Sequence, residues 1–193
     1  MATSKQQDFR RSALKLMYEK GYSAMTMRDL ADEMDCKVSN IYNYIKSKQA
    51  LLDSVMFEIS NKFHDGMKEI EGSTYGSMEK LQAVISMHIR LTLENPFQVQ
   101  LLVNEWRHLD EDRKTEFVDL RKVYEKKLKT ILQQGVKSKA FHTDDIDFTM
   151  NCILSSIRWI YSWYSPDAKK GMNQFDIEKK LTQFIMNGVS KEL

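Results

Sequence analysis

Proline occurs only twice and glycine seven times in 193 residues, so little in the chain interrupts a helix. The two cysteines, Cys36 and Cys152, form no Cys-x-x-Cys pair, which speaks against a metal-binding knuckle. The plain reading is two thiols in a reducing compartment, with redox sensing by Cys36 as the alternative. No uncharged run approaches the ~20 residues of a membrane span. The stretch Met1 to Arg11 has no apolar signal core. A cytoplasmic protein without a membrane partner is expected. There is also no Gly-rich phosphate loop, no nucleophile elbow and no His-Glu-x-x-His motif. The four histidines, His64, His88, His108 and His142, are scattered. Catalysis is therefore not expected, and no catalytic residue, metal ligand or cofactor is assigned.

Neither charge sign dominates: the formal net charge is +2. The distribution is uneven, with a net of +3 over residues 1–50 and −1 over the rest. A basic N-terminal portion agrees with a nucleic-acid face there. Hydrophobic residues make up 42% and charged residues 29%, the balance of a globular chain with an ordinary core. Apolar residues recur at helical spacing throughout, and strand-like alternation is missing. The expected fold is all-α with about nine helices. They run over about 7–20, the two short helices within 26–46, 47–71, 78–94, 97–109, 110–137, 144–164 and 173–191. Pro166 and Gly171 mark the break before the last.

The most informative stretch is Thr26 to Lys48, TMRDLADEMDCKVSNIYNYIKSK. Met27, Leu30, Ala31 and Met34 form one apolar helical face, and Thr26 with Asp29 makes an approximate capping box at its start. After Asp35-Cys36-Lys37 a second apolar set, Val38, Ile41 and Ile45, falls on one stripe. Ser39, Asn40, Asn43 and Tyr44 then point away from it, with Tyr42 towards its edge. A short helix that buries aliphatics and displays amides, a hydroxyl and phenols suits the second helix of a helix-turn-helix, which lies in the major groove of DNA.

Residues 10–52 resemble the N-terminal domain of the tetracycline-repressor (TetR) family. The likeness rests on Gly21-Tyr22, the Thr-Met-Arg-Asp-Leu-Ala run at 26–31, Ile41-Tyr42 followed by Tyr44, and Lys46-Ser47-Lys48 before Leu51-Leu52. The chain departs from the family in the turn. Asp35-Cys36-Lys37 stands where Gly-Val-Ser or similar is usual, and lysine is a poor helix cap. Ser39 stands where the family commonly has glycine.

This resemblance implies a DNA-binding domain over residues 1–48 and a ligand-binding and dimerisation domain over 49–193, sharing the fourth helix. Thr26, Tyr42 and Lys48 are the expected phosphate contacts, which position without reading sequence. Ser39, Asn40 and Asn43 are the candidates for base edges, asparagine being suited to adenine. Arg28 is placed for phosphate or guanine, and Lys37 and Tyr44 complete the set. Arg10 and Arg11 are either a further phosphate contact or a solvated pair.

The family pairs its last two helices across a two-fold axis, so a homodimer on a double-stranded operator is expected. The family also senses small molecules between its C-terminal helices. Phe63, His88, Leu102, Trp106, Tyr124, Asn151, Ser155, Trp159 and Trp163 are the candidate lining residues, combining apolar walls with isolated polar groups. Glu105-Trp106-Arg107 and Trp163-Tyr164-x-Pro166 are similar to a narrower group that senses acyl-coenzyme A thioesters. Arg90, Arg107, Arg121 and Arg158 are the arginines available for its phosphates or, equally, for surface salt bridges. The expected function is a ligand-responsive repressor. The alternative is a DNA-binding or partner-binding regulator without a small ligand.

Overall fold

The computed structural model describes residues 4–163 and 173–190. Among the described residues there are ten α-helical segments, one 3-10 turn and no strand. They are α1 (Ser4–Lys20), α2 (Met27–Glu33), α3 (Val38–Ile41), α4 (Lys48–Gly72), α5 (Ser77–Glu94) and α6 (Pro96–Asn104). The 3-10 turn Trp106–His108 follows, and then α7 (Glu111–Lys137), α8 (Ile146–Arg158), α9 (Ile160–Trp163) and α10 (Gln174–Val189). Only Trp159 separates α8 from α9, so the two make one interrupted rod and the rods number nine. No helix among the described residues is long and apolar enough to cross a membrane.

The chain divides into two compact units. One holds the chain up to Ile59 together with Phe97–Phe117; the other holds Ser60–Pro96 and the chain from Val118 onward. These units differ from the sequence-based division at residue 48. The part of α4 from Lys48 to Ile59 belongs with the helices before it, and so does the segment from α6 to the start of α7.

In the first unit Phe9, Ala13, Leu16 and Met17 of α1 are buried with Leu30 and Ala31 of α2, Ile41 of α3 and Leu52 and Met56 of α4. Helix α1 begins at Ser4, about a turn earlier than its apolar pattern requires. It ends at Gly21, whose φ of +78° is the left-handed conformation that glycine adopts without strain. Ser47 caps α4, its hydroxyl accepting from the Ala50 N–H at 3.0 Å. Tyr18 of α1 packs its ring 4.4 Å from that of Phe97. That contact helps to explain why α6 belongs to this unit.

In the second unit α5 is central, with contacts to α8, α9 and α10. Leu81, Val84, Ile85, Met87, Ile89, Leu91, Thr92 and Leu93 are buried, more than one face of the helix. Two glycines permit close approach. A Cβ on Gly66 of α4 would fall 2.1 Å from the Met87 sulfur, and one on Gly135 of α7 would fall 1.9 Å from the Phe141 ring. The Phe141 segment is fastened to the end of α10 by a bridge, with His142 N–H donating to the Val189 carbonyl at 2.9 Å.

Three expected boundaries change. The helix expected over 97–109 stops at Asn104 and tightens into the 3-10 turn. The helix expected over 144–164 is interrupted at Trp159, whose N–H bonds back to Ile157. The break at Pro166 and Gly171 lies outside the described residues.

Candidate nucleic-acid interface

The helix-turn-helix is built from local hydrogen bonds. The Thr26 hydroxyl accepts from the Asp29 N–H at 3.1 Å, and the Asp29 carboxylate accepts from the Thr26 N–H at 2.7 Å, a complete capping box. Lys20 donates to the same carboxylate at 2.6 Å. That bond first, and the two from Thr26 after it, hold the Asp29 pKa down to about 2.

The turn that follows departs from the family pattern in a physically legible way. Asp35 has a φ of 47°, a left-handed conformation in which aspartate is among the better-tolerated residues after glycine. Lys37 occupies the N-cap of α3 and makes no side-chain cap bond. The second helix is short. α3 spans four residues, and the continuation expected to Ile45 is a tighter turn in which Asn43 and Tyr44 donate to residues three back, Asn40 and Ile41.

Ile41 is fully buried and anchors α3. Around it Lys37, Ser39, Asn40 and Asn43 are exposed, and Tyr42 is 53% exposed. Thr26 and Arg28 are exposed on α2. Seven of the nine residues picked from the sequence are therefore exposed to solvent. The other two are engaged elsewhere. Tyr44, expected to point away from the apolar stripe, stacks on Phe9 of α1 with centroids 5.0 Å apart. Lys48 donates to the Ser23 carbonyl at 3.0 Å, and its ammonium sits 4.5 Å from the centre of the Tyr22 ring. Arg10 is paired with Glu58 of α4, and Arg11 with Asp8 at 3.0 Å.

The nine candidate effector residues do not form one group. Phe63, His88 and Tyr124 come together inside the second unit. The rings of Phe63 and His88 lie 4.7 Å apart, and His88 Nε2 is 2.5 Å from the Tyr124 hydroxyl. Burial, with the charge of Arg158 second, pushes the His88 pKa down to about 4, and burial raises that of Tyr124. His64 meets Tyr124 edge-on at 5.7 Å. Leu102 and Trp106 belong to the first unit, where Trp106 stacks on Phe117 and carries the Arg107 guanidinium over its ring. Asn151, Ser155 and Trp159 are on the exposed side of α8, with Trp159 42% exposed. They do not line the interior. The side chain of Trp163 lies outside the described residues.

The same side of α8 carries Phe148, 68% exposed, and Cys152. Phe184 of α10 is also 68% exposed and borders a groove of about 510 Å³ with Trp159, Ile177, Lys180 and Leu181. Phe175 of α10 is exposed as well. A signal was available in the sequence: Phe148, Cys152 and Trp159 recur at i, i+4 and i+11, a second apolar stripe on a helix that already has one.

A tetracycline repressor-like C-terminal domain is matched by residues 75–189, and the N-terminal domain of bacterial regulatory proteins of the tetR family by residues 10–55. The chain belongs to the tetracycline-repressor family. This is a family of DNA-binding transcriptional regulators rather than enzymes. The HTH-type transcriptional repressor KstR2 of Mycolicibacterium smegmatis is 22% identical over 190 residues, 97% of this chain and 92% of its own. The structure of the ketosteroid transcriptional regulator KstR2 of Mycobacterium tuberculosis superposes with a TM-score of 0.92 at 22% identity, covering 100% of this TetR-family chain and 98% of the other. AibR, solved in complex with isovaleryl coenzyme A and operator DNA, superposes with a TM-score of 0.80 at 17% identity, over 98% of this chain and 100% of its own. These likenesses establish the fold.

Proposed function

We propose that this chain is a homodimeric, effector-responsive repressor. It reads a double-stranded operator through Ser39, Asn40 and Asn43, while Thr26, Arg28, Lys37, Tyr42 and Lys48 meet phosphates. The observation that carries this reading is the sidedness of α3. Ile41 is wholly buried, and the polar residues on either side of it are exposed. Hydrogen-bonding side chains held on a buried anchor are what base readout requires. The work takes place in the cytoplasm, with the operator.

Dimerisation through α8 and α10 is supported by Phe148, Trp159 and Phe184, large apolar side chains open to solvent in a single chain. A second copy of the same surface covers them in an isologous pair. One recognition helix makes few base contacts, so a palindromic operator needs two.

Release by a small apolar or acyl-coenzyme A effector is supported by the similarity to AibR, which was solved with isovaleryl coenzyme A, and by the polar pair His88–Tyr124 set beside Phe63 in the second unit. Helices α4 and α7 each carry the chain from one unit into the other, a covalent route for coupling. The effector acts only if it binds the released state better than the DNA-bound one. One observation favours a regulator without an effector: His88 and Tyr124 already satisfy each other. A panel of acyl-coenzyme A esters and sterol-like acids separates the two. The effector reading predicts that at least one compound raises the melting temperature and lowers affinity for a duplex selected by the protein. A panel that changes neither contradicts it.

A further inference from the structure

The 3-10 turn Trp106–His108 contacts the loop that joins α1 to α2, within the first unit. The His108 ring lies 5.5 Å from the Tyr22 ring, and its Nε2 is 3.4 Å from the Ser23 hydroxyl. Glu105 approaches the same nitrogen at 3.3 Å. Lys48 grips the same two loop residues, with its ammonium over the Tyr22 ring and bonded to the Ser23 carbonyl. Tyr22 is itself fixed, its hydroxyl donating to Gln49 at 2.9 Å, and Gln49 donating to Asp53 at 3.2 Å. Burial first, and the carboxylates of Asp53, Asp110 and Glu105 after it, raise the Tyr22 pKa, so the phenol keeps its proton and its bond to Gln49.

We propose that His108 is a positioning residue for operator binding: it holds the Tyr22–Ser23 loop on which the Lys48 ammonium is seated, and so presets Lys48 for a DNA phosphate. This rests on the reading of Lys48 as a phosphate contact. Lysine has a long flexible stem, and seating its charge before DNA arrives reduces the ordering that binding must impose. An ammonium has three N–H donors, so the Ser23 carbonyl occupies one without excluding a phosphate. His108 stands 60 residues downstream of Lys48 and outside the helix-turn-helix, and its influence on DNA runs through Tyr22 and Ser23 alone.

A double-mutant cycle on the full chain tests this. Affinity for a labelled duplex selected by the protein from a random pool is measured for wild type, Lys48→Ala, His108→Ala, His108→Gln and Lys48→Ala/His108→Ala, between about 50 and 200 mM salt. Melting curves establish that each variant is folded. If His108→Ala does not fold, Ser23→Ala, which removes the hydroxyl that His108 meets, carries the cycle in its place. Lys48→Ala is expected to weaken binding and to lower the salt slope by about 1.8, about 0.9 for each of the two phosphate contacts that a homodimer loses. His108→Ala is expected to weaken it about three- to tenfold and to lower the slope in the same direction. In the Lys48→Ala background it is expected to cost less than about twofold. Glutamine, which keeps a donor for Ser23, is expected to restore most of the loss. Additive losses in the double variant, or an unchanged slope in His108→Ala, overturn the proposal and leave the role of Lys48 standing. An unaltered slope in Lys48→Ala overturns both.

Discussion

The rings of Tyr44 and Phe9 lie nearly parallel, with centroids 5.0 Å apart and planes inclined by 13°. Tyr44 closes the tight turn after α3, and Phe9 is buried in α1, so this stack fixes the orientation of the recognition segment. Tyr44→Phe keeps the stack, and it is expected to retain stability and DNA affinity within about twofold. Tyr44→Ala is expected to lower stability by about 1–3 kcal/mol in urea melts.

The start of α3 can be improved. Lys37 holds the N-cap without a side-chain bond. Lys37→Ser supplies an acceptor for the exposed N–H groups of the first turn and is expected to raise stability by about 1 kcal/mol. The readout is the urea midpoint at an unchanged slope. The same variant removes one charge from the proposed DNA face and is expected to weaken binding at every sequence alike.

His88 sets an acid limit on the second unit. Its ordinary value is 6.5 and burial lowers it to about 4, so the unfolded chain takes up a proton that the folded chain refuses. The stability it contributes is complete above pH 6.5. It falls as the pH drops from 6.5 towards 4 and is flat below that. His88 is half-buried, and the loss is on the order of 2 kcal/mol. His88→Gln keeps a hydrogen-bonding partner for Tyr124 without titrating. Urea melts at pH 7, 5.5 and 4 are expected to show a smaller acid loss in that variant than in wild type.

Phe184 is the exposed anchor beside the groove between α8 and α10. Phe184→Asp is expected to raise the dimer dissociation constant by about 30-fold or more, as loss of a central aromatic anchor does. Sedimentation velocity at several concentrations gives the readout. Cys152 on the neighbouring stripe offers a second one: a bis-maleimide is expected to cross-link Cys36→Ser protein into dimers, and Phe184→Asp to suppress it.

Much of this was legible in the sequence because local chemistry decided it. Thr26 and Asp29 announced their capping box three residues apart. The buried anchor Ile41 and its polar neighbours followed from a helical stripe. What escaped depended on contacts between residues distant in the chain. Arg10 meets Glu58 across 48 positions, and Lys48 and His108 converge on Tyr22 and Ser23. Neither pairing leaves a periodic trace. The exposure of Phe175 and Phe184 was hidden for another reason. A helix with apolar residues on two faces reads as deeply buried, and periodicity alone does not tell a core from a surface awaiting a second copy.

The proposed recognition of the operator stands on α3 reading bases and Lys48 holding phosphate. The deciding measurement is the affinity of wild type, Asn43→Ala and Lys48→Ala for a set of duplexes that vary one base pair at a time across the selected site. The account predicts that Asn43→Ala flattens the preference at one position in each half-site, worth about 1–3 kcal/mol there, while Lys48→Ala weakens every duplex equally. Uniform loss in both variants, or indifference of the wild-type protein to all duplexes at low salt, contradicts it.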